Sequence, residues 1–357
     1  MFDLYFFPLA AIAATFLFSF SLTFFAKQLA WRIGAVDVPG EARRMHDHPI
    51  PRAGGVAVYL TFLLACAVFC PTTPAMYAIW TGGCLLFLTG LLDDILSVGV
   101  GIRLTVQTAA ALIATVGGGI TVTGSGDMLS VAVSTLLLVA LINAHNFIDG
   151  IDGLCAKIGM TEALAVGVLF LLSGNPEYAL TASLLASALA GFLPLGHAPA
   201  RLFLGDCGST PAGYLIACFA LLATGASPAQ AYAPSGVLSA LTLILLFSVP
   251  LADLLLAVLR RMTTAENPFL PDRKHLHHLL VDAGYSHEDA GAMLVTLAVV
   301  NALIGISCHV KALLPFASLG CVADALLLIW IRERMSVRRI AYRLRRRLTG
   351  QTNNSLV

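Results

Sequence analysis

The sequence predicts an all-α, polytopic integral membrane protein with about eleven transmembrane helices. Of its 357 residues, 58% are hydrophobic and only 11% are charged, whereas about 25% of the residues of soluble domains are charged. The apolar residues also form runs close to the roughly 20 residues that a helix needs to cross a bilayer. These two observations exclude a soluble globular protein, and we expect residues 1–357 to form one membrane domain.

Eleven apolar runs account for most of the chain, and the shorter ones suit tilted helices or helices that begin in a polar groove. In chain order they lie near 8–30, 54–70, 76–92, 104–120, 128–142, 158–173, 178–196, 210–225, 236–259, 289–309 and 312–331. No basic segment precedes the first run, so residues 8–30 are predicted to remain as a span and not to be cleaved as a signal peptide.

The distribution of Lys and Arg predicts the orientation, with the N-terminus outside and the C-terminus in the cytoplasm. In this orientation only Lys311, of 21 Lys and Arg residues, falls in an outer segment, and Lys27 lies at the inner end of the first span. Such an excess of positive charge is typical of cytoplasmic segments. The last segment, 332–357, is a basic tail that we expect to bind anionic lipid headgroups; nucleic-acid binding is the weaker alternative.

The most informative polar cluster follows the apolar run 131–142 and spans residues 143–154. Its amide and carboxylate side chains recur at three-residue steps: Asn143, Asn146, Asp149 and Asp152. Such groups at the edge of a membrane span are costly in lipid, which indicates function. Gly150 and Gly153 end the helical register and let the backbone approach a ligand. The oxygen-rich set suits a hard cation and a phosphate ester.

Two further clusters are acidic. Asp93 and Asp94 follow an apolar run directly, and adjacent carboxylates are tolerable where a divalent cation or a shared proton offsets their repulsion. The alternative is a solvated helix end. Asp206 lies among glycines at the start of a span, which predicts a metal ligand beside free helical N–H groups. The alternative for Asp206 is an ordinary helix N-cap.

Two clusters are basic. The first contains Arg43, Arg44 and His46 and is followed by Gly54-Gly55, which suits an anion, although ordinary flanking charge explains it equally well. The second contains Arg273, Lys274, His275, His277 and His278. Its His-x-His-His spacing does not suit a helical zinc site and there is no nearby Cys, so phosphate recognition is the better use. Together with the acids, these groups are the residue types that Mg²⁺-assisted phosphoryl transfer needs.

The motifs resemble those of the polyprenyl-phosphate N-acetylhexosamine-1-phosphate transferases. They occur in the family's order: D-x-P, R-x-x-H and P-x-x-G-G within Asp37–Gly55, D-D at 93–94, N-x-x-N-x-x-D-G-x-D-G-L at 143–154, G-D-x-G-S at 205–209, and a His-containing loop. The loop form at 271–278 resembles the WecA/TagO branch more than the MraY branch. Position 145, here His, and position 207, here Cys, are variable places in the pattern.

The resemblance implies an enzyme that transfers N-acetylglucosamine 1-phosphate from UDP-GlcNAc to undecaprenyl phosphate. The products would be UMP and a lipid-linked diphosphate sugar that initiates a cell-envelope polysaccharide. It also implies Mg²⁺ or Mn²⁺ as cofactor, a homodimer, and a multi-pass location in the bacterial inner membrane with the active site on the cytoplasmic face. No nucleic-acid partner is expected.

The resemblance also assigns roles to residues. The acids implied in catalysis are Asp93, Asp94, Asp149 and Asp152. The implied metal ligands are Asp206, Asp94 and Asp152. The residues implied in substrate binding are Asn143, Asn146, Arg273, His275, His277, His278, Arg43, Arg44 and His46. We expect one-step displacement, because a lipid phosphate with a second pKa near 6 is already a competent nucleophile.

Other acids and other functions are weaker candidates. Asp253 occupies a place where the family often has an acid and is a candidate for a supporting role, whereas Glu162 is expected to form a local ion pair with Lys157. Asp324 is expected to make a buried interhelical hydrogen bond. The same reaction with UDP-GalNAc, a deoxy-sugar or UDP-MurNAc-pentapeptide is the nearest alternative. A nucleotide-sugar transporter is the alternative of a different class, but transporters place their polar sites near the bilayer midplane between repeats, and no repeat is visible here.

Overall fold

A computed structural model of the chain describes residues 2–38, 48–225, 236–264 and 275–310. The helices are α1 (Phe2–Ile33), α2 (Gly54–Phe69), α3 (Pro74–Leu96), α4 (Val100–Leu112), α5 (Met128–Ile148), α6 (Leu154–Leu172), α7 (Pro176–Gly196), α8 (Asp206–Thr224), α9 (Gly236–Leu246), α10 (Ser248–Thr264), α11 (Leu276–Asp282) and α12 (His287–His309). A π-helical turn, Ile113–Gly117, continues α4, and two short strands, β1 (Val36–Asp37) and β2 (Ile50–Pro51), pair antiparallel.

The predicted all-α membrane class is confirmed. Within the described residues, eight helices are long and apolar enough to cross a membrane, and a ninth span is counted if α9 and α10 are taken together. The apolar α2, with 16 residues, is shorter than a standard span. The predicted span at 312–331 and the basic tail at 332–357 lie outside the described residues. The expected number of eleven spans and the orientation therefore stay predictions.

The predicted span 236–259 is not one straight helix. It consists of α9 and α10, which meet at an angle of 79°. Pro250 explains the break. It has no N–H to donate to the carbonyl of Leu246, and its ring would clash with that carbonyl in a continuous helix. The bend turns α10, with Arg261 and Asp253, toward the ends of α5 and α11.

Helix α8 is the centre of the bundle and is buried on nearly every side, packing against α2, α3, α5 and α6. Close approach depends on glycine. A Cβ atom at Gly55 would lie 2.2 Å from the backbone nitrogen of Gly208, and one at Gly90 would lie 2.4 Å from the carbonyl oxygen of Asp206. Small residues of this kind let membrane helices pack backbone to backbone. The N-terminus of α8 is thereby brought against α2 and α3.

The segment that leads into α2 is fixed to the segment that leads into α8. The Phe203 N–H donates to the Pro51 carbonyl at 2.9 Å, and Gly54 and Gly55 donate to the carbonyls of Phe203 and Leu204 at 2.9 and 2.8 Å. These bonds place Arg52 directly beside the N-terminus of α8. Several polar stretches predicted to face the cytoplasm thus meet at one end of the bundle.

Candidate active site

The site is built around the N-terminus of α8. Gly205 precedes the helix with φ of +76°, and Asp206 is the first helical residue. The Asp94 carboxylate caps the helix, because its two oxygens accept hydrogen bonds from the backbone N–H groups of Asp206 and Cys207, both at 3.0 Å. A carboxylate is stabilised at this position by the free N–H groups and the helix dipole. The N-cap alternative for Asp206 is therefore wrong, and its own side chain lines a cavity.

Two arginines stand on either side of the Asp206 carboxylate. Arg52 Nη2 is 3.3 Å from Asp94 Oδ1 and 3.5 Å from Asp206 Oδ1. Arg103 Nη1 is 3.0 Å from Asp93 Oδ2 and 3.5 Å from Asp206 Oδ2. The site is thus a network of carboxylates and guanidinium groups in which Asp206 has the longer contacts.

The end of α5 supplies the next acid. Asp149 follows the last residue of α5, is partly buried, and lines the same cavity as Asp206. Removal from water and the nearby carboxylates of Asp206 and Asp94 raise the pKa of Asp149 well above its usual value, although Arg52 opposes this shift. The end of α5 is therefore a place where negative charge is crowded.

The two asparagines of the 143–154 cluster join neighbouring helices. Asn146 Nδ2 donates to Ser209 Oγ of α8 at 3.1 Å. Asn143 Nδ2 donates to Gln107 Oε1 of α4 at 2.7 Å and to the Val139 carbonyl at 2.8 Å. Both asparagines line the cavity. They fix α5 against α4 and α8 while presenting polar groups to a ligand.

The structure does not bring Asp152 into this cavity. Its Oδ2 atom accepts a hydrogen bond at 2.8 Å from the backbone N–H of Ala200, in the loop before α8. The chain turns at Asp149–Gly153, so the three-residue step no longer keeps the side chains on one face. Asp152 therefore holds the loop that leads to Asp206.

The cavity has a volume of about 650 Å³ and two different sides. Its polar end is formed by charged and amide side chains: Arg52, Arg103, Gln107, Asn143, Asn146, Asp149, Asp206, Arg261 and His275. Its apolar wall comes from α3, α4, α5 and α10: Leu86, Val100, Leu104, Leu136, Val139, Ala140, Leu254 and Val258. This arrangement suits a ligand with a charged head and a long apolar tail.

The histidines of the second basic cluster have different surroundings. His275 lines the cavity, and its Nδ1 is 2.9 Å from Asp253 Oδ2, an acid that also accepts a hydrogen bond from the Leu276 N–H. His277 is buried against Gly150, and burial together with the adjacent His278 lowers its pKa to about 3. His277 is therefore neutral, and His278 packs on it with ring centroids 4.2 Å apart. Asp253 thus contacts a predicted site residue, and its supporting role stays a prediction.

Four predicted site residues, Arg43, Arg44, His46 and Arg273, lie outside the described residues. Conversely, the structure places in the site four residues that were not predicted to belong to it: Arg52, Arg103, Gln107 and Arg261. A signal for two of them was present, because Arg103 and Gln107 are spaced four residues apart and so share one face of an otherwise apolar helix.

The expected pair of Glu162 with Lys157 is wrong. Glu162 Oε2 lies 2.6 Å from His145 Nε2, and the Lys157 ammonium lies 2.9 Å from His197 Nδ1. Residues five apart point to different faces of a helix, whereas three or four apart they meet. Lys157 therefore lies at the bundle surface and Glu162 inside it.

The site has the donor chemistry for Mg²⁺ but not a complete protein cage. Among the described residues, no group of three or more His, Cys, Asp or Glu side chains could hold a metal ion. Mg²⁺, however, is commonly bound by one or two carboxylates together with water and substrate phosphates. The carboxylates of Asp206 and Asp149, which share the cavity, fit this mode.

Comparison with known proteins places this site in a family. A match to glycosyl transferase family 4 covers residues 76–224, which include Asp93, Asp94, Asp149 and Asp206. The decaprenyl-phosphate N-acetylglucosaminephosphotransferase of Mycobacterium tuberculosis H37Rv is 34% identical over 78% of this chain and 78% of its own. The enzyme of the same name from Mycolicibacterium smegmatis is 35% identical over 79% and 78%. The undecaprenyl-phosphate alpha-N-acetylglucosaminyl 1-phosphate transferase of Escherichia coli K12 is 29% identical over 96% of both chains.

Proposed function

This chain belongs to glycosyl transferase family 4, and on that premise we propose that it transfers N-acetylglucosamine 1-phosphate to undecaprenyl phosphate. The donor is UDP-GlcNAc, and the products are undecaprenyl-diphospho-GlcNAc and UMP. Relatives that match nearly the whole chain carry the same acceptor and sugar in their names. The product is the first lipid-linked intermediate of a cell-envelope polysaccharide.

One observation carries the proposal: the carboxylate–guanidinium network around Asp206 lies at the polar end of a cavity with an apolar wall. An isoprenoid phosphate needs apolar surface for its tail and basic groups for its head. Of the described residues that line the cavity, Arg52, Arg103 and Arg261 carry guanidinium groups, and arginine binds phosphate oxygens in a fixed geometry. The amide and carboxylate groups of α5 face the remaining polar space, where the nucleotide diphosphate of the donor fits.

We propose one-step displacement on this scaffold. The lipid phosphate is doubly ionised near neutral pH and attacks the sugar-proximal phosphorus of the donor, with UMP leaving as the diphosphate bond breaks. The task of the protein is to orient the two substrates and to offset their negative charge. The guanidinium groups of Arg52 and Arg103 offset part of this negative charge. Both Asp94 oxygens accept backbone N–H groups, so its task is to hold Asp206 in place.

Mg²⁺ or Mn²⁺ is part of the proposal. When bound, the cation would neutralise charge that develops on the diphosphate. We propose Asp206 and Asp149 as the residues that hold it, in place of the Asp94 and Asp152 expected beside Asp206 from the sequence. The carboxylate of Asp94 already accepts hydrogen bonds from the N-terminus of α8. That of Asp152 accepts one from the Ala200 N–H outside the cavity.

The remaining parts of the proposal concern the setting of the enzyme. We place the site on the cytoplasmic side of a bacterial inner membrane, because the described residues Arg52, Arg103 and Arg261 lie at this end of the bundle and positive charge is typical of cytoplasmic segments. A homodimer belongs to the same proposal. Crosslinking of the purified protein in lipid nanodiscs would test the dimer, and labelling of single cysteines in intact cells would test the orientation.

The central experiment is a transfer assay with purified full-length protein. Undecaprenyl phosphate, Mg²⁺ and radiolabelled UDP-GlcNAc are incubated with and without EDTA, and lipid-extractable label and UMP are quantified. We expect lipid-linked label with equimolar UMP, and its loss in EDTA with recovery on addition of Mg²⁺. Label from another UDP-sugar alone would keep the reaction and change the donor. The absence of transfer from every UDP-sugar by folded protein would overturn the proposal.

A further inference from the structure

The last turn of α5 is fixed to three other helices by three nearby side chains. Asn143 bonds to Gln107 of α4 and Asn146 to Ser209 of α8, and both face the cavity. His145 lies between them and points the other way, to Glu162 of α6, with Nε2 and Oε2 2.6 Å apart. Both side chains of this pair are completely buried. The pair is therefore close to the site in sequence but outside the cavity.

The hydrogen bonds of His145 determine how many protons the pair holds. Its Nδ1 lies 2.9 Å from the Leu141 carbonyl oxygen, which can only accept, so Nδ1 carries a hydrogen. The contact between Nε2 and Oε2 then needs one further proton, which is on the ring or on the carboxyl group. In either case the pair shares one proton there and has no net charge. Neutrality explains how two ionisable side chains are tolerated in the middle of a helix bundle.

The space around the pair is closely filled. A Cβ atom at Gly213 of α8 would lie 2.8 Å from Cβ and Cγ of His145, and the ring of Phe247, at the break between α9 and α10, packs edge-on against the imidazole at 6.0 Å between centroids. The second carboxyl oxygen of Glu162 has no hydrogen-bond partner among the described residues. The imidazole is thus held by α6, α8 and the α9–α10 break at once.

We propose that His145 and Glu162 are a positioning pair for the transfer reaction, holding the last turn of α5 so that Asn146 and Asp149 face the cavity. The inference rests on the proposed function. The bonds of Asn143 and Asn146 restrain α5 from the cavity side, where ligands compete for the same polar groups. The bond between His145 and Glu162 restrains it from the opposite side, where no ligand reaches. It is therefore the restraint that persists while substrates bind and leave.

The test compares variants of the full-length protein in lipid nanodiscs, with kcat and the KM of each substrate measured per molecule of monodisperse protein. Glu162→Gln keeps a donor for the Nε2 atom of neutral His145, so kcat should stay within about threefold of wild type. The double variant His145→Leu, Glu162→Leu replaces both partners by apolar groups, which buried cores often tolerate. Its kcat should fall by about 10- to 100-fold, the loss that follows from misplacing catalytic groups by about 1 Å.

The matched control is Thr135→Val, in the N-terminal half of α5, which removes a buried hydrogen bond at 3.2 Å to Thr115. It should leave kcat and KM unchanged. If the double variant is not recovered folded, Glu162→Asp takes its place, because the shorter side chain withdraws the carboxyl group from His145, and its kcat should fall in the same direction.

Two results would overturn the positioning pair. One is wild-type kcat in the folded double variant or in folded Glu162→Asp, which would leave the pair only a packing role. The other is a loss in folded Glu162→Gln as large as in the double variant, which would mean that the carboxyl group itself is needed. An inactive wild-type enzyme with every UDP-sugar would instead count against the proposed function, so the two failures are distinguishable.

Discussion

The two ends of α5 are both polar, yet their polar groups are arranged in opposite ways. At the N-terminal end, which is the outer end in the predicted orientation, Asp127 accepts a hydrogen bond from the Ser130 N–H at 2.9 Å. Ser134 Oγ accepts one from the Val122 N–H at 2.8 Å while donating to the Ser130 carbonyl at 2.6 Å. These bonds close a loop and cap a helix. At the C-terminal end, which is the inner end in the predicted orientation, Asp149 and Asp206 line the same cavity.

The difference separates groups that stabilise the fold from groups that the fold must tolerate. The outer end is made of hydroxyl groups and one exposed carboxylate, and each bond there satisfies a backbone group or a neighbour. At the inner end, removal from water and the nearby carboxylates of Asp206 and Asp94 raise the pKa of Asp149. Strongly perturbed acids in a cleft are typical of functional sites. Substitutions at the two ends should therefore separate activity from stability.

The largest effect is expected at Asp206. Asp206→Asn removes the carboxylate that lies between Arg52 and Arg103 and shares the cavity with Asp149. Turnover should fall by at least about 100-fold, the order seen when one preorganised electrostatic group is removed from an active site. The transfer assay measures this. Asp127→Asn, the same change at the outer end of α5, should leave turnover unchanged; equal activity of the two variants would contradict the comparison.

Arg103→Gln should have the next largest effect. The guanidinium contacts Asp93 at 3.0 Å and Asp206 at 3.5 Å and is the group at the start of α4 that can reach a phosphate. Loss of hydrogen bonds to a charged group is worth about 1.5–3 kcal/mol, so we expect kcat/KM to fall by about 10- to 100-fold. Arg32→Gln removes an exposed positive charge at the end of α1 and is the control. Equal losses in both variants would indicate a general effect of surface charge.

Asp149→Asn should change activity and stability in opposite directions. The pKa of Asp149 is raised in the folded protein, so the folded state holds a proton that the unfolded chain, with a carboxyl pKa near 3.9, releases. The wild type therefore loses stability as pH rises above about 4, and asparagine removes this dependence. In EDTA at pH 7 the variant should melt roughly 2–4 °C higher for each kcal/mol regained, and its transfer activity should be strongly reduced.

Thermal unfolding in detergent at a series of pH values tests this prediction. The difference in Tm between Asp149→Asn and wild type should shrink as the pH is lowered toward 4. A variant that melts below the wild type at pH 7 in EDTA would show that the Asp149 carboxylate stabilises the fold, and the contrast between the two ends of α5 would be wrong.

The class of fold and the polar cluster at 143–154 could be predicted from the sequence, because both depend on local signals. Apolar runs predict spans whatever their partners, and acids at the edges of spans are costly enough to indicate function. The break between α9 and α10 was missed because hydropathy does not register that Pro250 withdraws one backbone hydrogen bond. The proline itself is visible in the sequence, but an apolar run is defined by hydropathy alone.

The roles of individual acids could not be predicted, because they depend on contacts between distant segments. Asp152 continues the three-residue spacing but turns to Ala200, and Asp94 is engaged by α8, more than a hundred residues away in the chain. The partner of His145 could not be predicted from the sequence either. Glu162 has Lys157 nearby in sequence, and only the packing of α5 against α6 shows which cationic or polar group it meets.

The smallest effect on activity is expected at the outer end, where Ser134→Ala sharpens the contrast. The Ser134 side chain is completely buried, and its loss leaves the Val122 N–H without the acceptor at 2.8 Å. A buried donor left unsatisfied costs about 1–3 kcal/mol, so the variant should unfold at lower temperature. Its kcat per folded molecule should equal that of the wild type, because the inner end of α5 keeps its bonds to α4, α6 and α8. A fall in kcat would instead mean that the outer end also positions the site, and that α5 moves as one rigid rod.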